Sequence, residues 1–140
     1  MSCDIHLQME VLRFGRWEPV EEDVEIAFQN YTMFAILANV RNYSNIKPLF
    51  ERRGVPKEAS NKYLNMVDEW AGDGHSHSWV RLYDLKRLLG QNVSADTELG
   101  TYRDHCKGIC EWEKSMEQMI NSWEFEETAE DIRICFFFDN

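Results

Sequence analysis

The segment DIRICFFFDN, residues 131–140, is the feature that most limits the folds open to this chain. Ile132, Ile134, Phe136 and Phe138 alternate with Arg133, Cys135, Phe137 and Asp139, so both sides are largely apolar near the end. A strand with two apolar sides is typical of the centre of a sheet that is covered on both faces. The pattern therefore predicts a central strand with other elements packed on each side of it.

A second strand is predicted over residues 3–14, CDIHLQMEVLRF, where polar and apolar residues alternate. Apolar side chains share one face, and Asp4, His6, Gln8 and Glu10 share the other, which is expected to meet solvent. A turn at Gly15-Arg16 follows. A short return segment, restricted to a sheet edge by Pro19, then completes a predicted β-hairpin.

Four helices are predicted between the hairpin and the last strand. The segment YTMFAILANV after Asn30 is apolar nearly all round, which indicates a buried helix. A second helix is expected from Pro56 to about Trp70, and two more over residues 82–89 and 98–123. The HSHSW run is expected to be extended. This order predicts a single α+β domain over residues 1–140, a small, mainly antiparallel sheet (N-terminal hairpin and C-terminal strand) packed against about four helices.

The charge of the chain limits its partners. With 15 basic and 25 acidic residues, the net charge is −10, so binding to DNA or RNA is not expected. The absence of a long apolar run and of a signal-peptide pattern predicts no membrane association and a cytoplasmic location. Four cysteines without a CxxC spacing favour buried thiols over disulfides or a thiolate metal site.

Three of the four histidines fall in two short polar motifs. In Asp4-Ile5-His6, strand alternation places a carboxylate and an imidazole on one face, ~6–7 Å apart, where the carboxylate can orient the ring. In DGHSHSW, His75 and His77 share a face if the segment is extended. If it forms a loop, backbone amides near Gly72 and Gly74 can make an anion-binding nest.

These residues support two kinds of chemistry. His6 and either His75 or His77 could act as general base and general acid on a phosphodiester, with Asp4 orienting His6. Alternatively, Asp4, His6, His75 and His77 form a ligand set for zinc or another divalent metal. The metal-free mechanism, which requires no cofactor, is preferred because histidines have many uses besides metal binding. Each motif alone also fits an ordinary polar surface.

Candidate ligand-binding residues surround these motifs. Arg41, Arg52 and Arg53 lie in the loop predicted between the first two helices and could hold a phosphate. The alternative is ordinary surface charge that balances Glu51 and Glu58. Ser76, Ser78 and Trp79 adjoin the histidines, and Trp79 could stack on a nucleobase.

The chain resembles a widespread family of small bacteriophage proteins, most of them uncharacterised. The resemblance lies in the opening CDIH, the G-x-W of the hairpin, MFAILANVRN, RRGVP, HSHSW and IRICFFFDN, and it is weakest over residues 91–130. Two positions depart from the pattern: Ser2 stands where a glycine is usual, and Arg81 where a small helix-capping hydroxyl residue is expected. Some phage accessory proteins of this size bind or cleave nucleotide signals of host defence. The resemblance therefore implies a small nucleotide ligand and a location in the infected host cell.

Three functions are predicted, in order of preference. The first is a phage accessory, anti-defence phosphoesterase that cleaves a phosphodiester bond of a small nucleotide. The second is a binding protein that sequesters a nucleotide second messenger without turnover. The third is a protein-interaction module whose acidic residues, concentrated in 111–131, contact a partner. A homo-oligomer is compatible with all three.

Overall fold

A computed structural model of the chain describes residues 2–20, 31–43, 48, 50–84 and 131–139. Its elements are β1 (Asp4–Arg13), β2 (Arg16–Pro19), α1 (Tyr31–Ala38), α2 (Asn61–Glu69), β3 (Gly74–Arg81) and β4 (Ile132–Asp139). Residues 82–84 add a helical turn after β3. The predicted α+β class with a small antiparallel sheet is confirmed. The rest of the third predicted helix and the fourth lie outside the described residues, as do Cys106, Cys110 and residues 111–130. Neither α1 nor α2 is long and apolar enough to cross a lipid bilayer.

The four strands form one sheet in the order β2-β1-β4-β3, and every neighbouring pair is antiparallel. β4 is central, as its two apolar sides predict, and every residue from Ile132 to Phe138 is buried. β2 is an edge strand, as Pro19 predicts. The hairpin turn lies one residue earlier than expected, at Phe14 and Gly15, which have φ values of 51° and 74°. Positive φ at both central residues is typical of tight hairpin turns.

Each helix covers one face of the sheet. On the face that carries Ile5 and Phe138, here called the α1 face, Phe34 of α1 contacts Phe138 edge-on with 5.0 Å between ring centroids. On the opposite face, here called the α2 face, Tyr63 of α2 packs against Cys135 and Phe137. The Tyr63 hydroxyl donates to the Phe136 carbonyl at 3.0 Å, which ties α2 to the central strand.

The start of α2 is set by a capping residue that the sequence analysis did not select. Ser60 is the N-cap, and its Oγ accepts a hydrogen bond from the Tyr63 N–H at 3.3 Å. The Ser60 N–H in turn donates to the Glu10 carboxylate at 2.6 Å, so the cap is also held by β1. Because a serine N-cap satisfies free amides of the first turn, the helix begins at Asn61 and Pro56 remains in the loop.

A buried charged network lies on the α2 face. Glu10 is fully buried and accepts a hydrogen bond from Arg133 Nε at 2.7 Å, while the Cys135 thiol donates to the same oxygen at 3.2 Å. Burial, reinforced by the Glu10 charge, raises the pKa of the Cys135 thiol well above its usual range. The expectation that this side of β1 meets solvent is therefore wrong at Glu10 and at Gln8, which is also buried. Cys3 and Cys135 are buried free thiols, as predicted for the cysteines.

Candidate functional site

His6 lies on the α2 face in a mostly enclosed aromatic environment. Its ring stacks on Phe137 with 5.0 Å between centroids, and Trp70 at the end of α2 covers it at 4.4 Å. The carboxylate that meets Nε2 of His6 belongs to Asp139, at 2.9 Å, with side-chain exposures of 22% for His6 and 14% for Asp139. Asp4, the predicted orienting residue, is the ladder partner of Asp139. Two carboxylates therefore lie on this part of the sheet, and Asp139 is the one that contacts the ring.

A β-bulge separates the two histidines of β3. The segment is extended, as predicted, but the register against β4 shifts between His75 and Ser78, and Ser76 has a φ of 58°. A bulge interrupts the alternation of side chains. The His75 ring consequently lies 6.3 Å from that of Phe138 on the α1 face, whereas His77 stacks on Phe137 at 5.2 Å on the α2 face. The two imidazoles do not share a face.

His6 and His77 flank the ring of Phe137 on the α2 face. With centroid distances of 5.0 and 5.2 Å to that ring, the two imidazole centroids are at most about 10 Å apart. Among the described residues, Nδ1 of His6 and both ring nitrogens of His77 have no hydrogen-bond partner. Burial, together with the charge of His75, lowers the pKa of His77 below its ordinary value. The His6 imidazole is therefore paired with the Asp139 carboxylate, and the His77 imidazole favours its neutral form.

The lowered pKa of His77 predicts a loss of stability as the pH falls below about 6.5, the ordinary histidine value. In that range the unfolded chain binds a proton at His77 that the folded chain does not, so the free energy of unfolding decreases with falling pH. We expect this decrease to be steeper for the wild type than for His77→Gln in urea titrations from pH 7.5 to the folded pKa. Identical pH dependence of the two proteins would contradict the assignment.

The three candidate arginines lie in different environments. Arg52 donates from Nε to the Ala38 carbonyl at 2.8 Å, at the end of α1, where it has a helix-capping role. Arg41 lies over the ring of Tyr31 at 5.5 Å and donates to the Tyr43 hydroxyl at 3.3 Å. Only Arg53 reaches the α2 face.

Arg53 is held beside His77 by its backbone. Its N–H donates to Ser78 Oγ at 3.1 Å, and the next residue, Gly54, donates to the His77 carbonyl at 2.9 Å. Ser78 is buried and therefore positions the arginine loop rather than facing a ligand. The guanidinium lies 4.2 Å from the Trp79 ring, so one face of the predicted stacking surface is already covered. Ser76, in the bulge, lies 2.9 Å from Nδ1 of His75.

Asp139 and Trp70 are the site residues that the sequence analysis did not assign. Asp139 follows the apolar run of β4, and its pairing with His6 depends on the β1–β4 register. Trp70 reaches His6 because the chain turns sharply after α2, where Gly74 donates to the Trp70 carbonyl at 2.6 Å. A Cβ at Gly74 would lie 3.1 Å from that oxygen and 3.2 Å from the Phe137 ring. Gly74 of the DGHSHSW segment is therefore the sequence signal for the close contact of this turn with Trp70 and Phe137.

The alternative metal site is not assembled. Within the described ranges, which include Asp4, His6, His75 and His77, no three His, Cys, Asp or Glu side chains are grouped closely enough to hold a metal ion. The bulge removes one member of the predicted set, because it places His75 on the opposite side of the sheet from His6.

Comparisons with models of known families, with curated proteins and with solved structures find no match. The resemblance to bacteriophage proteins stays a prediction, and the functional interpretation depends on the geometry of the α2 face.

Proposed function

We propose that this chain is a metal-independent phosphoesterase that cleaves a phosphodiester bond of a small nucleotide, with His6 and His77 as its acid–base pair. The observation that carries the proposal is the placement of the two imidazoles on either side of Phe137, each with a ring nitrogen that has no hydrogen-bond partner among the described residues. Two histidines on one surface can serve a single phosphodiester from opposite sides.

The environments of the two rings suggest their roles. His77, whose pKa is lowered, is neutral at pH 7 and acts as the general base. His6 acts as the general acid through Nδ1, while Asp139 fixes the orientation of the ring through Nε2. His75 has no role in this mechanism because its ring lies on the α1 face.

The reaction uses the ribose of the substrate as nucleophile. His77 removes the proton of a 2′-hydroxyl, and the 2′-oxygen attacks the adjacent phosphorus. The bond to the 5′-oxygen breaks, and that oxygen takes the proton from His6. The products are a 2′,3′-cyclic phosphate and a free 5′-hydroxyl.

Sequestration without turnover is the second candidate. The enclosure of His6 between Trp70 and Phe137, with about a fifth of its side chain exposed, favours it because a stacked ring is well held but has limited access to a substrate. The same residues would then bind the phosphate and base of a nucleotide. A bacteriophage accessory role, in which this nucleotide is a defence signal of the infected cell, follows from the sequence resemblance and is part of the proposal.

The test is to incubate the purified protein with cyclic and ADP-ribose-type nucleotides, denature it, and identify the nucleotide recovered by chromatography and mass spectrometry. We expect a cleaved product with a 2′,3′-cyclic phosphate from at least one nucleotide that carries a free 2′-hydroxyl. Intact nucleotide released only on denaturation would support sequestration instead. Recovery of neither, across the panel, would contradict both. Turnover that requires added zinc, with one bound equivalent by elemental analysis, would overturn the metal-free mechanism.

A further inference from the structure

We propose that Arg53 and Arg81, which lie on the same face of the sheet as Trp79, form an anion-binding site for a second phosphate of the ligand. The inference rests on the proposed function and narrows its substrate to a nucleotide that carries two phosphates one nucleoside apart, such as a linear or cyclic dinucleotide.

The first support is the way Arg53 is held. Its guanidinium lies between two aromatic rings, 3.6 Å from the Phe50 centroid and 4.2 Å from the Trp79 centroid. Within the part of the chain that the structure describes, no hydrogen bond or ion pair engages the guanidinium. The guanidinium is therefore in close contact with two rings, while its N–H groups remain available to an acceptor. The paired N–H donors of a guanidinium, here called the fork, match two oxygens of one phosphate.

The second support is that the backbone fixes the position of this fork. The bonds from Arg53 and Gly54 to Ser78 and His77 tie the loop to the edge of β3 at two successive residues. A guanidinium that is fixed both by its backbone and by two rings loses little conformational entropy on binding. Ordinary surface arginines lack this preorganisation.

The third support is the local charge. Arg81 follows Trp79 by two residues in the regular part of β3, so it lies on the α2 face, and it is exposed. Burial is the main cause that lowers the pKa of Arg53; the Asp84 carboxylate opposes this shift, and the charge of Arg81 adds to it. The neighbouring Arg133 is already neutralised by Glu10. Among the described residues, Asp84 is the carboxylate whose charge acts on Arg53, and a bound anion would further offset the repulsion between Arg53 and Arg81.

The distance between this site and the histidines defines the ligand. Trp79 lies two residues beyond His77, which corresponds to ~6–7 Å along a strand. Neighbouring phosphates of a nucleotide chain have a similar separation. A phosphate between His6 and His77 would thus place the next phosphate of the same ligand beside Trp79, within reach of Arg53 and Arg81.

Calorimetric titration with two probes, adenosine 5′-monophosphate and adenosine 3′,5′-bisphosphate, tests the proposal. We expect the bisphosphate to bind the wild-type chain about tenfold more tightly than the monophosphate, the gain expected from one additional charge-assisted phosphate contact. Arg53→Gln and Arg81→Gln should each remove most of this ratio while leaving monophosphate affinity within about twofold. Arg53→Lys should retain part of it, since it keeps the charge but not the fork.

The matched control is Arg16→Gln, which removes the same charge from an exposed residue of the hairpin and should leave the ratio unchanged. Equal affinity for the two probes, no binding of either probe, or a ratio that both glutamine variants preserve would overturn the proposal. Neither probe requires turnover. If the protein cleaves a nucleotide but binds both probes equally, only the second phosphate site is contradicted. If it prefers the bisphosphate but cleaves no nucleotide, only the catalytic assignment is contradicted.

Discussion

Replacing Glu10 by glutamine is expected to lower the free energy of unfolding by about 3–5 kcal/mol. The substitution keeps the shape of the side chain but leaves the Arg133 guanidinium, 4% exposed, without its countercharge. It also weakens the acceptor for the Ser60 N–H, on which the N-cap of α2 depends. An uncompensated buried charge is among the most destabilising results of a single substitution. Here the weaker hydrogen bond at the N-cap of α2 adds to the loss of stability.

Urea denaturation followed by tryptophan fluorescence measures the change, with Glu18→Gln as control. Glu18 is an exposed residue of β2, and its substitution should alter the free energy of unfolding by no more than about 0.5 kcal/mol. The double variant Glu10→Gln/Arg133→Met should recover most of the lost stability, because it removes the uncompensated charge and keeps an acceptor for the Ser60 N–H. A loss below ~1 kcal/mol in Glu10→Gln would show that the ion pair is not buried as described.

The second large effect concerns turnover. Replacing His6 or His77 by asparagine is expected to reduce kcat on a cleaved nucleotide by about 10²–10⁴-fold, the usual contribution of an acid–base residue. His75→Asn is the matched control, since it lies in the same strand but on the opposite face, and it should retain most of the wild-type kcat. Asp139→Asn should have an intermediate effect, because it changes the orientation of His6 rather than removing the ring.

The pH profile separates a catalytic role from a structural one. With a neutral His77 as base, kcat/KM should fall on the acidic side of the profile, with a midpoint below about 6.5, and His77→Asn should lose this limb. Thermal unfolding of each variant checks that the fold is intact. If His6→Asn and His77→Asn fold normally and keep turnover within tenfold of the wild type, the proposed mechanism is wrong.

The strands were predictable because their signals are local. Period-two alternation in β1 and two apolar sides in β4 follow from strand geometry, and β4 is central for that reason. The burial of Glu10 was not predictable in the same way. Alternation tells which side chains share a face, but not whether a helix covers that face. The partner of Glu10 is Arg133, more than a hundred residues away, and a single strand gives no sign of it.

The site was predictable in part. His6 and His77 were selected from composition and spacing, but the exclusion of His75 depends on a bulge at Ser76, and a serine carries no clear signal for a left-handed φ. Asp139 could have been found from charge pairing. If Glu10 is paired with Arg133, the antiparallel register places Phe137 opposite His6 and Asp139 opposite Asp4. Arg53 could be distinguished from Arg41 and Arg52 only by tertiary contacts.

The pairing of β1 with β4 has a consequence for synthesis of the chain. β1 is synthesised more than a hundred residues before β4, but residues 4–11 of β1 are paired with residues 132–139. Until those residues emerge, β1 can pair with β2 over residues 10–13, and such a two-stranded hairpin is marginally stable on its own. Contacts between such distant segments form slowly, so the nascent chain exposes the unpaired edge of β1 until β4 has been made. Chaperone binding during translation should therefore persist until β4 has been made.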